Sequence, residues 1–79
     1  NPIRQSALIQ YGVFVESVIL LAVYDMQGRL MQTLFEGKRA VGAYSVSLDG
    51  SGFASGHYIL SLQDQKGARL TRSIQIQRD

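Results

Sequence analysis

The stretch Tyr24-Asp25-Met26-Gln27-Gly28-Arg29 lies between two apolar runs that are rich in β-branched and aliphatic residues. Aspartate at the start of such a turn and glycine at its end are typical of a type I turn followed by a residue in the left-handed region. Asp64-Gln65-Lys66-Gly67 repeats the pattern near the end of the chain. The two stretches predict tight hairpins, and tight hairpins between strand-like runs favour an antiparallel all-β fold.

Apolar and polar residues alternate in most segments between the turns, and a period of two predicts strands with one buried face. Strands are predicted at residues 7–15 (with a break or bulge at Gly12), 18–24, 30–35, 43–48, 57–63 and 70–77. Residues 36–39 are predicted to be a polar connection, and residues 49–56 the longest loop. Short strands at regular spacing are typical of a β-sandwich or barrel.

The second predicted strand is apolar on both faces. We expect Ile19, Leu21 and Val23 to face the core. Leu20 and Ala22 then form a candidate contact surface for a passenger domain or for a second copy of the chain, since exposed apolar faces often mark interfaces. The alternative is that a nearby loop or strand end covers both residues.

The later strands alternate cleanly. The residues predicted to face inward are Tyr44, Val46 and Leu48 in the fourth strand, Tyr58, Leu60 and Leu62 in the fifth, and Leu70, Arg72, Ile74 and Ile76 in the last. Arg72 is unusual on such a face. We expect its aliphatic part to pack at a sheet edge while its guanidinium reaches solvent or a partner.

Length and composition exclude several classes of protein. The 79 residues suit one domain, residues 1–79, and because the first residue is Asn1 we expect a fragment or a processed piece of a longer protein. Cysteine is absent, which excludes disulfides and thiolate metal sites. The net charge is +2 and the basic residues are scattered, so nucleic-acid binding is not expected. The longest apolar run, residues 18–23, is too short to insert directly into a membrane.

Candidate catalytic chemistry is confined to one loop. Asp49, Ser51, Ser55 and His57 are the residue types of a hydrolytic triad, but a triad usually draws its members from segments that are distant in sequence. Glycine and serine are also the ordinary residues of a tight loop, and aspartate of a turn. With a single histidine, we predict no catalytic, cofactor or metal site, and we expect no enzyme.

The order of these motifs resembles the C-terminal sorting domain of bacterial type IX secretion cargo. Such domains open near an Asn-Pro pair, as Asn1-Pro2 does, and they contain Val-Tyr-Asp, two variable residues and Gly-Arg, which residues 23–29 match in full. Spaced leucines and glycines follow, here Leu30, Leu34, Gly37 and Gly42. Residues 48–58 are similar to the next family segment, with Leu48 replacing an aromatic residue and Phe53 a leucine.

The last strand departs from the family pattern. Ser73 stands where lysine is expected, so Arg72 or Arg69 must supply the basic residue of that strand. The chain also ends in a more polar segment, residues 75–79, than is usual.

The resemblance implies an immunoglobulin-like antiparallel β-sandwich of about seven strands. It further implies a non-catalytic targeting domain at the C-terminus of a larger secreted protein. After transit through the periplasm, the type IX secretion machinery would carry an N-terminal passenger domain to the cell surface or medium. A sortase-like peptidase would then remove the domain. The alternative is an immunoglobulin-like structural spacer or binding module that a bacterial cell-surface protein retains.

Two groups of residues are predicted to serve recognition and folding. The candidate recognition residues are Asp25, Gly28 and Arg29 in the first hairpin and Arg72, Ile74 and Ile76 in the last strand. The predicted fold determinants are Tyr24, Gly52, Gly56 and Tyr58. For Tyr24 and Arg29 the alternative to recognition is a purely structural role, with the tyrosine packed at the strand end and the arginine covering the turn.

Overall fold

A computed structural model describes residues 6–77 of the chain. Within this range it contains six strands and one short 3₁₀ turn, Gly50–Gly52. The strands are β1 (Ser6–Val13), β2 (Ser17–Asp25), β3 (Leu30–Arg39), β4 (Gly42–Asp49), β5 (Gly56–Asp64) and β6 (Arg69–Ile76). The all-β prediction is confirmed, and six strands rather than about seven are formed by the described residues.

The strands form two antiparallel sheets. The larger sheet has the order β3-β2-β5-β6, and the smaller sheet pairs β1 with β4. Each sheet packs against the other with one face and leaves the opposite face to solvent. Because successive side chains of a strand point to opposite faces, apolar and polar residues alternate in the sequence. The architecture is therefore a sandwich of four strands against two.

The core lies between the sheets. It is built from Val23, Leu48, Phe53, Tyr58 and Ile76, with Ile9, Leu34, Leu60 and Ile74 packed around them. The predicted inward residues of β2 are confirmed, since Ile19, Leu21 and Val23 are all buried. Phe53 and Tyr58 meet edge to face with their ring centres 5.2 Å apart, an arrangement that aromatic pairs prefer.

Two tyrosine hydroxyls in strands form hydrogen bonds with the connections that precede those strands. Tyr58 Oη donates to the Ala54 carbonyl at 2.6 Å, and Tyr44 Oη donates to the Ala40 carbonyl at 2.7 Å. Bonds from a strand tyrosine back to the preceding connection are a recurrent feature of immunoglobulin-like sandwiches. They hold the chain where it enters β5 and β4.

Two local predictions are wrong. No break occurs at Gly12, because the pairing of β1 with β4 runs without a register shift through Gly12 and Ala43. Residues 36–39 are not a polar connection, since they belong to β3 and pair with the start of β2. Arg39 at the end of β3 stacks on two aromatic rings. Its guanidinium lies 3.8 Å from the Phe35 ring centre and 4.6 Å from that of Tyr44.

A side chain from β6 contacts the outer face of the larger sheet near the end of β2. Ala22 is completely buried and Leu20 is half-buried, so Ala22 cannot offer the contact surface that was predicted. Ala22 pairs with Ser61 of β5, and Arg69 Nε donates to Ser61 Oγ at 2.9 Å. The same guanidinium lies 5.6 Å from the Tyr24 ring centre. Arg69 therefore lies over the part of this face that Ser61 and Tyr24 form.

The inner face of β6 is only partly covered. Ile76 is buried and Ile74 half-buried, as their alternation predicts, whereas Leu70 is 68% exposed and Arg72 is also exposed. These two residues lie at the end of β6 that the two-stranded sheet does not cover. The prediction of an inward face is therefore correct only for the second half of this strand.

Candidate recognition surfaces

The first hairpin is closed by the carboxylate of Asp25. Its Oδ1 accepts hydrogen bonds from the backbone N–H groups of Gln27 and Arg29, both at 2.9 Å. Its Oδ2 accepts from Arg29 Nε at 2.7 Å, which makes an ion pair. Backbone bonds from Gly28 N to Asp25 O and from Asp25 N to Arg29 O complete the turn. Both carboxylate oxygens are thus used inside the hairpin.

These contacts change the acidity of Asp25. The Arg29 backbone N–H is the largest cause that holds the pKa of Asp25 below its ordinary value of 3.8. Partial burial opposes this effect, while the Arg29 side chain and the Gln27 N–H support it. A carboxylate that accepts several N–H bonds is stabilised in its charged form. Asp25 is therefore ionised at neutral pH and committed to the turn.

Gly28 and Arg29 differ in whether they offer a side chain to a partner. Gly28 has φ 87°, a left-handed backbone that favours glycine, so its part in the hairpin is structural. The side chain of Arg29 remains 77% exposed although its Nε is bound to Asp25. Of the three candidate residues in the first hairpin, Arg29 is therefore the one whose side chain a partner can reach.

The candidate residues of β6 lie two strands away in the same sheet. Asp25 pairs with Tyr58, and Tyr58 pairs with Ile74, so the strand spacing places Asp25 and Ile74 about 10 Å apart. Ile76 belongs to the buried core, and its side chain is not accessible. Arg72 is exposed, and among residues 6–77 it takes part in no ion pair.

The predicted fold determinants have different physical roles. Tyr58 is a core residue with a bonded hydroxyl, and Tyr24 lies under the guanidinium of Arg69. Gly56 begins β5 with φ 154° and pairs with Ile76. Gly52 has neither a positive φ nor any atom within 4 Å of an added Cβ, and nothing in the structure explains a glycine there.

Asp49, the acidic residue of the candidate triad, is bound within its own turn in the structure. Asp49 Oδ1 accepts the Ser51 backbone N–H at 3.0 Å, and this bond is the main reason that the pKa of Asp49 is lowered. The aspartate thereby caps the 3₁₀ turn that leads into buried Phe53. In residues 6–77 no cluster of three or more His, Cys, Asp or Glu side chains is placed to hold a metal ion. In the same residues no helix is long and apolar enough to cross a membrane.

The structure contains a surface that sequence analysis missed. Two adjoining hollows of about 770 and 430 Å³ lie between β1, the β1–β2 connection and the inner face of β6. We call this surface the β1/β6 groove and define it by Leu8, Tyr11, Phe14, Leu60, Leu70 and Arg72. Leu8 is 62% and Phe14 86% exposed, although both belong to the apolar first quarter of the chain. The apolar residues around Leu8 and Phe14 were the available signal in the sequence. A strand pattern does not show, however, which of these residues stay uncovered in the fold.

Two sheets packed face to face, with tyrosines bonded back to their connections, define an immunoglobulin-like β-sandwich. The family model of the secretion system C-terminal sorting domain matches residues 1–77, nearly the whole chain, and the chain belongs to this family. It is a sorting domain of type IX secretion. Comparison with curated proteins and with solved structures gives no significant match.

The family assigns the chain a coarse function. A sorting domain of this kind serves as a type IX secretion signal and interacts with the secretion machinery and with a passenger protein. The protein that carries it goes to the cell surface or the extracellular space. Domains of this family are in general non-catalytic.

Proposed function

We propose that residues 1–79 act as one non-catalytic C-terminal unit that directs an N-terminal passenger domain through the type IX secretion system. The passenger passes through the periplasm before it crosses the outer membrane, and a sortase-like peptidase then removes the sorting domain. The observation that carries the proposal is the family match over residues 1–77, on a chain whose described residues fold as a small sandwich.

The internal contacts of the domain support recognition of a folded surface. Ile76 at the end of β6 is buried in the core, and Gly56 at the start of β5 pairs with it. The last strand is therefore part of the folded sheet, and a partner that recognises it meets the sheet as well. The exposed groups available for such a contact include Arg29 of the first hairpin and Arg72 of β6.

The local contact of Asp49 supports the non-catalytic part of the proposal. The polar side chains around the 3₁₀ turn satisfy local backbone groups, as Asp49 does for Ser51, and His57 is exposed. General acid–base or nucleophilic chemistry needs two or more groups aimed at one point. Asp49 already accepts the Ser51 N–H inside the 3₁₀ turn, so it is not directed at such a point.

The proposal is tested by a secretion assay. A signal peptide and a fluorescent passenger are fused in front of this chain and expressed in a type IX-competent strain and in its secretion-null sibling. We expect surface or extracellular passenger only in the competent strain, shortened by the mass of the sorting domain. A fusion of full length in the periplasm of both strains would overturn the proposal in favour of a retained structural spacer.

A matched variant shows whether the folded domain is the signal. Ile76→Asp places a carboxylate in the core and is expected to unfold the sandwich. Gln77→Asp adds the same charge one position later, at an exposed residue, and is the control. Secretion should fail for Ile76→Asp and persist for Gln77→Asp. Equal secretion of both variants would show that a linear signal, and no fold, is recognised.

A further inference from the structure

The two sheets of the sandwich differ in width, and the difference leaves one position uncovered. The larger sheet has four strands and the smaller has two in residues 6–77. Leu70 and Arg72 on the inner face of β6 are exposed while Ile76 is buried, so the smaller sheet leaves the first half of β6 uncovered. The β1/β6 groove is the resulting space, bounded by β1 on one side and by the inner faces of β5 and β6 on the other.

One added strand in this space would pair with the free edge of β1 and would also cover the exposed inner face of β6. Among the described residues β1 pairs only with β4, so its other edge presents unpaired N–H and C=O groups. A strand bonded to that edge would lie about 10 Å above β6, the usual separation of packed sheets. Its inward side chains would then cover Leu70 and the half-buried Leu60 and Ile74.

The edge of β1 lacks the usual protection against strand addition. Its sequence from Ser6 to Val13 contains no charged residue and no proline, and its pairing with β4 contains no bulge. Exposed edges that are not meant to pair commonly carry such features. By contrast, the edge strand β3 is irregular, with register shifts opposite Leu21 and Val23.

A second copy of the chain cannot fill this space by pairing its own β1 with the free edge of β1. If β1 of one copy paired with β1 of another about a twofold axis, the smaller sheets would join into four strands. The β1 strand of the second copy would lie over the first half of β6, and it would bring its own larger sheet into the space that β6 occupies. The space is one strand wide, and it suits an extended segment that has no second layer of its own.

Charge defines the chemistry of that segment further. Arg72 is the one charged residue of the larger hollow, and within residues 6–77 no ion pair neutralises it. The other lining residues are mostly apolar, including Leu8, Leu60 and Leu70. A strand with apolar side chains at alternate positions and one carboxylate opposite Arg72 would match both features, and alternate side chains are the means by which added strands are selected.

We propose that the β1/β6 groove binds an extended β-strand of a partner protein, paired with the free edge of β1, whose inward side chains are apolar except for one carboxylate bound to Arg72. The proposal rests on the sorting function proposed above, because it names the chemistry by which a partner in secretion would recognise this domain.

Binding is tested with a synthetic strand. The probe is a blocked peptide of about eight residues, the length of a typical strand, in which valine and threonine alternate and one central valine is replaced by glutamate. The isotope-labelled 79-residue chain is titrated with this peptide and followed by NMR. We expect saturable shifts in β1 and in the first half of β6. No saturable binding, or shifts confined to β3 and β4, would overturn the proposal.

Charge reversal tests the role of Arg72. Arg72→Glu should weaken binding of the glutamate peptide by about fivefold or more, the size expected for an exposed charge pair and its reversal. A peptide with lysine at the central position should recover the affinity for this variant. Equal affinities of both peptides for both chains would overturn the assignment of Arg72.

Matched surface variants link the groove to secretion. Leu70→Lys charges the groove, while Val41→Lys is the control, because Val41 is 64% exposed and lies outside both hollows. Both variants should melt as the unsubstituted chain does, and only Leu70→Lys should lose peptide binding and secretion. If the unsubstituted fusion is secreted and Leu70→Lys is secreted equally, the groove proposal fails and the sorting function stands. A sedimenting dimer that Leu70→Lys alone dissociates would assign the groove to a second copy and overturn the proposal.

Discussion

The hairpins β2–β3 and β5–β6 have the same turn but different surroundings. Asp64 Oδ1 accepts the backbone N–H groups of Lys66 and Ala68 at 2.9 Å, just as Asp25 Oδ1 accepts those two and four residues later. Gly28 and Gly67 have φ 87° and 95°. The aspartate and the glycine therefore define the turn, independently of the rest of the hairpin.

The residue four positions after the aspartate makes the difference. In the first hairpin it is Arg29, which binds the second oxygen of a buried Asp25. In the second it is Ala68, and the arginine comes one residue later as Arg69, which reaches Ser61 on the outer face. The first hairpin is closed on itself, whereas the arginine of the second contacts the outer face of the larger sheet. A shift of one residue thus moves a cation from the turn to the sheet.

The largest expected loss of Tm comes from replacing the aspartate of the first hairpin, and the aspartate of the second hairpin provides the comparison. Asp25→Ala removes two backbone bonds and an ion pair from a buried carboxylate, and we expect it to lower Tm by roughly 10 °C. Asp64→Ala removes two backbone bonds from a half-exposed residue, and we expect a loss of roughly 4 °C. Thermal unfolding followed by circular dichroism measures both. Equal losses would contradict the view that burial and Arg29 distinguish the hairpins.

The glycines should behave alike in both hairpins. Gly28→Val and Gly67→Val each force a branched side chain into the left-handed region at a cost of about 1–2 kcal/mol. An added Cβ meets no atom within 4 Å at either position, so backbone strain is the whole effect. Each variant should melt roughly 4–8 °C lower or somewhat more. Gly52→Ala is the control, since Gly52 also lies in open space but has no positive φ, and an equal loss there would contradict this explanation.

The hairpins and the core of the central strand could be predicted from sequence because their causes are local. Aspartate and glycine at fixed spacing determine the turn at Gly28 and the turn at Gly67. The period of two in a strand groups Ile19, Leu21 and Val23 on one face, which was predicted to face the core, and all three are buried. The predicted strands differ from the observed ones by one or two residues at most ends, with β3 as the main exception.

The remaining features depend on partners that are distant in sequence. Ala22 is buried beside Ser61, which binds Arg69 of another strand, and no local pattern shows that contact. The alternation in β6 predicts the same environment for Leu70 and Ile76, whereas only one is covered by the smaller sheet. For the same reason the β1/β6 groove could not be predicted, since it depends on how far one sheet extends past the other.

The acidity of Asp25 provides a smaller test of the first hairpin. Its folded pKa is lowered, so it contributes stability that is present above the unfolded value near 3.8 and is lost as pH falls through the folded pKa. Asp25→Asn lacks this titration. The Tm difference between the unsubstituted chain and Asp25→Asn should be constant above about pH 5 and should shrink by a few degrees below pH 4. A difference that stays constant down to pH 2 would contradict the lowered pKa.

The smallest effect should come from converting the second hairpin into the first. Ala68→Arg places a guanidinium at the position that Arg29 has in the first turn, four residues after the aspartate, where it can bind the free oxygen of Asp64. Because this pair is exposed, and because Lys66 and Arg69 are close in sequence, we expect a gain in Tm of only about 1–3 °C at low salt.

Salt and a neutral control separate the ion pair from added packing. Ala68→Gln extends the side chain without a charge and should leave Tm unchanged. The gain from Ala68→Arg should disappear in about 1 M salt, where charges beyond about 3 Å are screened, and it should also disappear in the Asp64→Asn background. A gain that persists under both conditions would show that the arginine acts through its aliphatic part. In that case the charge of Arg29, too, would matter less to the first hairpin than the burial of Asp25.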